Sequence, residues 1–286
     1  MPSRPFLFRL TPLVALACVA CEGTLNLDIQ ADAAGLDRQL RLQIDRVELV
    51  HSDGGVESFD LDLRLNVGEN GADPVRLLDG ETLRDGSYNS LRLRLVAADS
   101  EVEDDSGERA VNLLDSTPEA DNLSFRISED ETTDITLHLA SFASLPTDTE
   151  GAQDLDARLS LVRNANSAAL SLTLNAPLAL ADFCGNASGL PRLYLFSGSN
   201  PTVDDLDGDA ADALRVLAAE SGSGSGFQRQ WSLNRVPLGS YRVALSCDED
   251  NPAAEETLSF FCTTDISLSA DRTVALNSES EDANCE

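Results

Sequence analysis

The chain has 286 residues, room for two domains, and a formal net charge of −30 from 50 acidic against 20 basic residues, every one of the latter arginine. So acidic a surface repels phosphate, which makes nucleic acid and bare anionic lipid poor partners. It suits solubility in a salty or crowded envelope, or divalent-cation binding by clustered carboxylates.

Residues 1–9 carry Arg4 and Arg9 and no acid, and residues 10–17 are mostly apolar. The apolar run is too short to cross a bilayer as a helix. A basic start, a short apolar core and small residues predict a secretory leader over 1–20. Val19, Ala20 and Cys21 resemble the lipobox of bacterial lipoproteins; Cys18 departs from it where leucine is usual. The resemblance implies that Cys21 receives a diacylglycerol and becomes the first residue after cleavage. Ala15-Leu16-Ala17-Cys18 is a competing register with a poorer fit at Leu16. Cys18 and Cys21 also spell a C-x-x-C, but a cleaved leader offers no folded helix terminus to lower a thiol pKa.

From Leu25 the hydrophobic period is two: Leu25, Leu27, Ile29; Leu40, Leu42, Ile44; Val47, Leu49, His51. The three-residue step from Ile44 to Val47 needs one extra residue near Asp45-Arg46, hence a bulge or a strand changing sheets. Further alternating runs centre on Leu61, Leu93, Phe125, Leu137, Leu161 and Leu172, with turn signals such as Asp53-Gly54-Gly55, Asn70-Gly71 and Asp85-Gly86 between them. Helical periodicity is weak; the best candidate is Asp209–Ala219. After a bridge at 175–183 a second series runs through Leu193-Tyr194-Leu195-Phe196, Phe227–Leu233, Tyr241–Cys247, Thr257–Cys262, Ile266–Leu268 and Val274–Leu276. The pattern predicts an all-β protein of two tandem antiparallel β-sandwich domains, immunoglobulin-like or prealbumin-like, over 21–175 and 184–286.

One internal echo links the two. Asp85-Gly86-Ser87-Tyr88 leads into Leu91-Arg92-Leu93, and Leu238-Gly239-Ser240-Tyr241 leads into Val243-Ala244-Leu245. Each tyrosine can bury its ring while its hydroxyl reaches backbone at a corner.

Gly23-Thr24-Leu25-Asn26-Leu27, Arg46–His51, the Gly86-Ser87-Tyr88 turn and Glu131–Leu137, in that order, resemble the domain-of-unknown-function family numbered 4382, found in bacterial envelope lipoproteins. The likeness covers residues 23–140. The chain lacks the Pro-Ala-Gly that often precedes the family's turn tyrosine, and its hairpin at Glu101–Glu108 is more acidic. The second domain resembles a companion in some relatives, with Cys184 before the Tyr194 strand and Cys247 closing the Tyr241 strand. The family has no established activity, so the resemblance implies fold and location only.

Beyond the leader, the cysteines are Cys184, Cys247, Cys262 and Cys285, which in an exported chain read as two disulfides. A hairpin about Asn251-Pro252 would set Cys262 opposite residue 242, too far from Cys247, so the pairing expected is Cys184–Cys247 and Cys262–Cys285. His138, between Leu137 and Leu139, belongs on the solvent face, and His51 ends a strand; neither is paired with a marked serine or thiol. Asp205, Asp207 and Asp209 alternate in an acidic loop and are the candidate calcium ligands, although an EF-hand would need Gly at Ala210 and Glu at Val216. The function these features predict is non-catalytic: a module held at the membrane by its lipid that binds a protein or glycan or plays a structural part, without cofactor. A calcium-dependent adhesion or assembly module is the second reading and an uncharacterised hydrolase the third. Glu22 after the lipid cysteine, rather than Asp, points to the outer membrane of a Gram-negative envelope.

Overall fold

A computed structural model describes residues 22–32, 39–67, 74–104, 107–120, 124–145, 153–175, 184, 191–206, 213–218, 220–221, 228–248, 250, 254–276 and 283–285. The leader and Cys21 lie outside the described residues. Within them no helix is long and apolar enough to cross a membrane, and the one α-helix, α1 (Ser141–Ser144), is a single turn.

A first group of strands comprises β1 (Glu22–Ala31), β2 (Gln39–His51), β3 (Val56–Val67), β4 (Val75–Arg84), β5 (Gly86–Leu95), β6 (Glu101–Asp104), β7 (Gly107–Leu113), β8 (Phe125–Ile127), β9 (Thr132–Leu139), β10 (Gln153–Leu155) and β11 (Leu159–Arg163). They make one sheet in the order β11-β9-β1-β4 and another in the order β10-β7-β6-β2-β5-β8, with β3 also paired to β2. Leu25, Leu27 and Ile29 of β1 and Leu137 of β9 meet Leu40, Leu42 and Leu49 of β2 in a shared core.

The second group comprises β12 (Ser167–Asn175), β13 (Arg192–Ser197), β14 (Arg215–Ala218), β15 (Glu220–Ser221), β16 (Gln228–Pro237), β17 (Gly239–Ser246), β18 (Phe260–Leu268), β19 (Arg272–Leu276) and β20 (Ala283–Cys285). Its sheets run β15-β16-β12-β19 and β14-β13-β17-β18-β20. Leu170 and Leu172 of β12 and Trp231 of β16 meet Leu193 and Leu195 of β13 and Val243 of β17.

The echo read in the sequence extends to topology. In the first group β1 lies between β9, parallel, and β4, antiparallel. In the second, β12 lies between β19, parallel, and β16, antiparallel. β4 turns into β5, which pairs with β2 and β8; β16 turns into β17, which pairs with β13 and β18. At each turn the tyrosine hydroxyl donates to a carbonyl four residues back, Tyr88 to Arg84 at 3.0 Å and Tyr241 to Pro237. The ring is sequestered and the hydroxyl satisfied at a strand end, which fixes the angle at which the chain crosses between sheets.

The expected bulge is present: β2 shifts register between Ile44 and Arg46 against both β3 and β5, so Ile44 and Val47 are both fully buried. Four expectations are corrected. The sheets are not purely antiparallel, because β1–β9, β12–β19 and β10–β7 pair in parallel. β12 belongs to the second group, since its partners are β16 and β19; the crossing between groups is the single turn Asn164–Asn166, not residues 175–183. The alternation of Leu170, Leu172 and Leu174 says that a strand exists, not which sheet it joins. Within the candidate helix Asp209–Ala219, Arg215–Ala218 is strand β14 on the edge of β13; Val216 faces one core and Leu217 another, the alternation of a strand buried on both faces. Finally, Cys262 lies opposite Leu245, not residue 242, because the connection from β17 is longer than a tight hairpin and the register shifts at Ser246.

Cys184 is bonded to Cys247, as expected, across a Cα separation of 5.2 Å. Cys262 is disulfide-bonded, and β20 places Cys285 directly opposite it. Mapping of unreduced peptides should therefore recover Cys184–Cys247 and Cys262–Cys285; a Cys247–Cys262 peptide would contradict the register of β17 on β18. A second prediction concerns Gly86, at φ +143°, where a Cβ would stand 2.1 Å from His51 Nε2, whereas one on Gly54 (φ +90°) would meet nothing within 4 Å. Gly86→Ala should destabilise by about 3 kcal/mol, against about 1 kcal/mol for Gly54→Ala, in denaturant melts. Equal losses would show that the ring of His51 gives way freely.

Candidate functional site

The ionisable groups that sequence reading singled out fall in three places. The first is the seam between the two strand groups. His138 is not on a solvent face: it is 1% exposed, and its Nε2 lies 2.9 Å from Asp32 Oδ1. The correction has a plain cause. Alternation does send His138 to the outer face of its sheet, but the second group covers that face here. Arg215 of β14, 2% exposed, stands 3.9 Å from the same Asp32 oxygen. Its guanidinium also donates to the carbonyls of Asn234 at 2.8 Å and Arg235 at 3.2 Å. Burial, and then the charge of Arg215, push the pKa of His138 down, so the imidazole is neutral at pH 7. Burial also lowers Arg215, but a guanidinium starts so high that it keeps its charge. An Asp–His pair resembles two-thirds of a hydrolytic triad, yet this one is sealed from water and from any substrate.

The second place is the end of the first group at which β1 begins. His51 Nδ1 is 2.8 Å from Asp53 Oδ1, which also accepts from the Gly55 N–H and from Arg84. Those three donors hold the Asp53 carboxyl far below the usual range. His51 packs edge-on to Tyr88, with ring centroids 5.2 Å apart, and its Nε2 is buried against Gly86. The group pins the β2–β3 turn to the tyrosine corner. The acidic hairpin Glu101–Glu108 is likewise structural: Arg41 reaches Glu101 at 2.8 Å, Glu103 at 2.7 Å and Glu108 at 3.3 Å.

The third place is a loop layer over the outer face of β13. Tyr194 and Phe196 of β13 point away from the second group's main core and are covered by Val203, Leu206, Leu258 and, from the first group, Ala143. Asp205 is fully buried in this layer and Asp250 is 7% exposed. The two loops latch onto each other: the Leu206 N–H donates to Asp250 and the Glu256 N–H to Asp205. Tyr194 donates to Asp250 Oδ2 at 2.9 Å. Burial, reinforced by the nearby charge of Asp205, raises the pKa of Asp250. The Oδ1 atoms of both aspartates are buried without a hydrogen-bond partner. Of the three aspartates expected as calcium ligands, Asp205 lies buried in this layer, while Asp207 and Asp209 lie outside the described residues. Asp250 was missed; the only sequence signal was an acidic Asp248-Glu249-Asp250 tract pinned by the neighbouring Cys247. Among the described residues no three His, Cys, Asp or Glu side chains converge as a metal group.

Neither a family model nor a curated protein matches the chain. Solved structures similar to it include a candidate adhesin of Bacteroides ovatus, 11% identical with a TM-score of 0.23 over 90% of this chain and 93% of that one. A candidate cell adhesion protein of Bacteroides fragilis is 8% identical, TM-score 0.21, over 90% and 95%. A leucine-rich repeat protein of Bacteroides thetaiotaomicron is 10% identical, TM-score 0.23, with 90% of this chain spanning 26% of that one. Likeness at that level decides neither topology nor partner.

The buried His138 makes a pH prediction. Its folded pKa lies below the unfolded value of about 6.5, so the unfolded chain takes up the proton first. The associated stability is complete above that value and is lost as pH falls through it, by up to about 1.4 kcal/mol per pH unit. Denaturant melts of the wild type should weaken between pH 7 and 5, and His138→Asn should flatten the slope. A wild-type profile level across that window would contradict a neutral buried imidazole.

Proposed function

We propose that the chain is a lipid-anchored envelope protein of two tandem sandwich-type domains, serving as a non-catalytic binding or structural module for a protein or glycan partner. One observation carries the reading. β1 begins at Glu22, the residue after Cys21, and the residue beyond its far end, Asp32, meets Arg215 of the second group. Ten strand residues span about 30 Å. The tether and the second group are therefore at opposite ends of the first group, which holds the second away from the lipid surface. With Cys21 acylated there is almost no linker, so the first group rests against the membrane.

The histidines support a non-catalytic role, since both are engaged in packing: His138 in the seam, His51 at the tyrosine corner. The acidic surface favours a neutral or cationic partner over a phosphorylated one. Glu22 favours delivery to the outer membrane.

The test has two readouts. On fractionation the wild type should sediment with outer membranes and Cys21→Ser should be recovered as soluble periplasmic protein. Sedimentation of Cys21→Ser with membranes would overturn the tether. On a glycan array the full chain should retain a glycan saturably and without turnover; release of a cleaved product would overturn the non-catalytic reading.

A further inference from the structure

We propose that Asp205 and Asp250 bind a divalent cation, calcium by the chemistry of the donors, in the loop layer that covers β13. The observation is a pair of carboxylates withdrawn from water with their hydrogen bonding half complete. Asp205 is fully buried and Asp250 nearly so. Each is served by the protein on one side only: Asp205 Oδ2 by the Glu256 N–H, and Asp250 by the Tyr194 hydroxyl on Oδ2 and by the Leu206 N–H. Each has a second oxygen, Oδ1, buried with no donor at all. Buried anionic oxygens are met in folded proteins by a donor, a cation or a proton. The cationic side chain whose charge acts on Asp250 is Arg192, which offsets only part of the burial and the repulsion from Asp205.

The donor set selects the ion. Two carboxylates and a phenol oxygen are hard oxygen groups, and Cys247 next to Asp248 is closed in a disulfide and cannot offer a thiolate. Calcium accepts six to eight oxygens in irregular geometry, so two aspartates suffice when carbonyls and water complete the shell. The loops are also preorganised, by reciprocal N–H latches and by the Cys184–Cys247 bond one residue before Asp248. The site sits beside the seam: the Leu206 side chain packs in one cluster with Ala143, and its carbonyl is 3.5 Å from Arg158 Nη1, both of the first group. A cation there stiffens the surface on which the two groups meet. The inference is independent of the tethered-module reading, which stands whether or not calcium binds.

The probe is calcium chloride, added to full-length protein in detergent after chelator treatment, at a salt concentration that screens diffuse binding to the acidic surface. Calorimetry should show one saturable site, and the melting temperature should rise by about 5 °C at about 10 mM calcium. Asp205→Asn and Asp250→Asn should each abolish the rise. In chelator both variants should melt at or above the wild type, because an unpaired buried charge has gone. Absence of any shift in the wild type would overturn the proposal in favour of a proton shared by the two carboxylates. A rise preserved in both variants would overturn it by placing the ion elsewhere.

Discussion

Both faces of β9 and β13 are buried, and the architecture follows from meeting that constraint. Thr136 and His138 of β9 and Tyr194 and Phe196 of β13 point away from the cores of their own sheet pairs, yet all are buried. Something must cover them, and what covers them is the seam and the loop layer beside it. At the seam an acid, a neutral imidazole and a guanidinium share a buried space. Such a group adds little net stability, because desolvation offsets attraction. It acts instead on geometry. Any displacement that parts Asp32 from Arg215 leaves a charge buried without its partner, at a cost of about 3–5 kcal/mol. Apolar contacts alone, such as Ala143 against Leu206, would tolerate sliding. The charges specify one docking.

The two strand groups read as one design used twice. A parallel pair in one sheet, an antiparallel neighbour that ends at a tyrosine corner, and a following strand paired on both sides in the facing sheet recur in the same order. They have diverged in how they are closed. The first group adds the β6–β7 hairpin and the long β3, and clasps its acids with Arg41 and Arg64. The second is trimmed and stapled by Cys184–Cys247. A smaller sheet pair buries less of its chain, so a covalent link contributes more of what holds it.

Together these features define two closely connected strand groups in a strongly acidic chain. β1 runs from Glu22 to the seam without interruption, and the turn Asn164–Asn166 is a short connection between the groups. The aspartate pair of the loop layer lies where the second group meets the first, so an ion bound there acts on the joint as well as on its own loops.

Strand content, the bulge at Asp45-Arg46, both tyrosine corners and the Cys184–Cys247 bond were legible in the residues, because each follows from local alternation, turn chemistry or the reach of a short covalent link. Parallel pairing, the membership of β12 and the residue of β17 that faces Cys262 were not, because a strand's periodicity is the same whichever neighbour it joins and whatever its register. His138 and Asp250 show the limit most clearly. Alternation placed His138 on the correct face of β9, and only docking of Arg215 turned that face from solvent to interior. Asp205 was visible as one acid among several; its burial beside Asp250 depends on two loops 45 residues apart folding over Tyr194. Local order is written along the chain, whereas burial, and with it the chemistry of a charged group, is set by whatever distant segment comes to cover it.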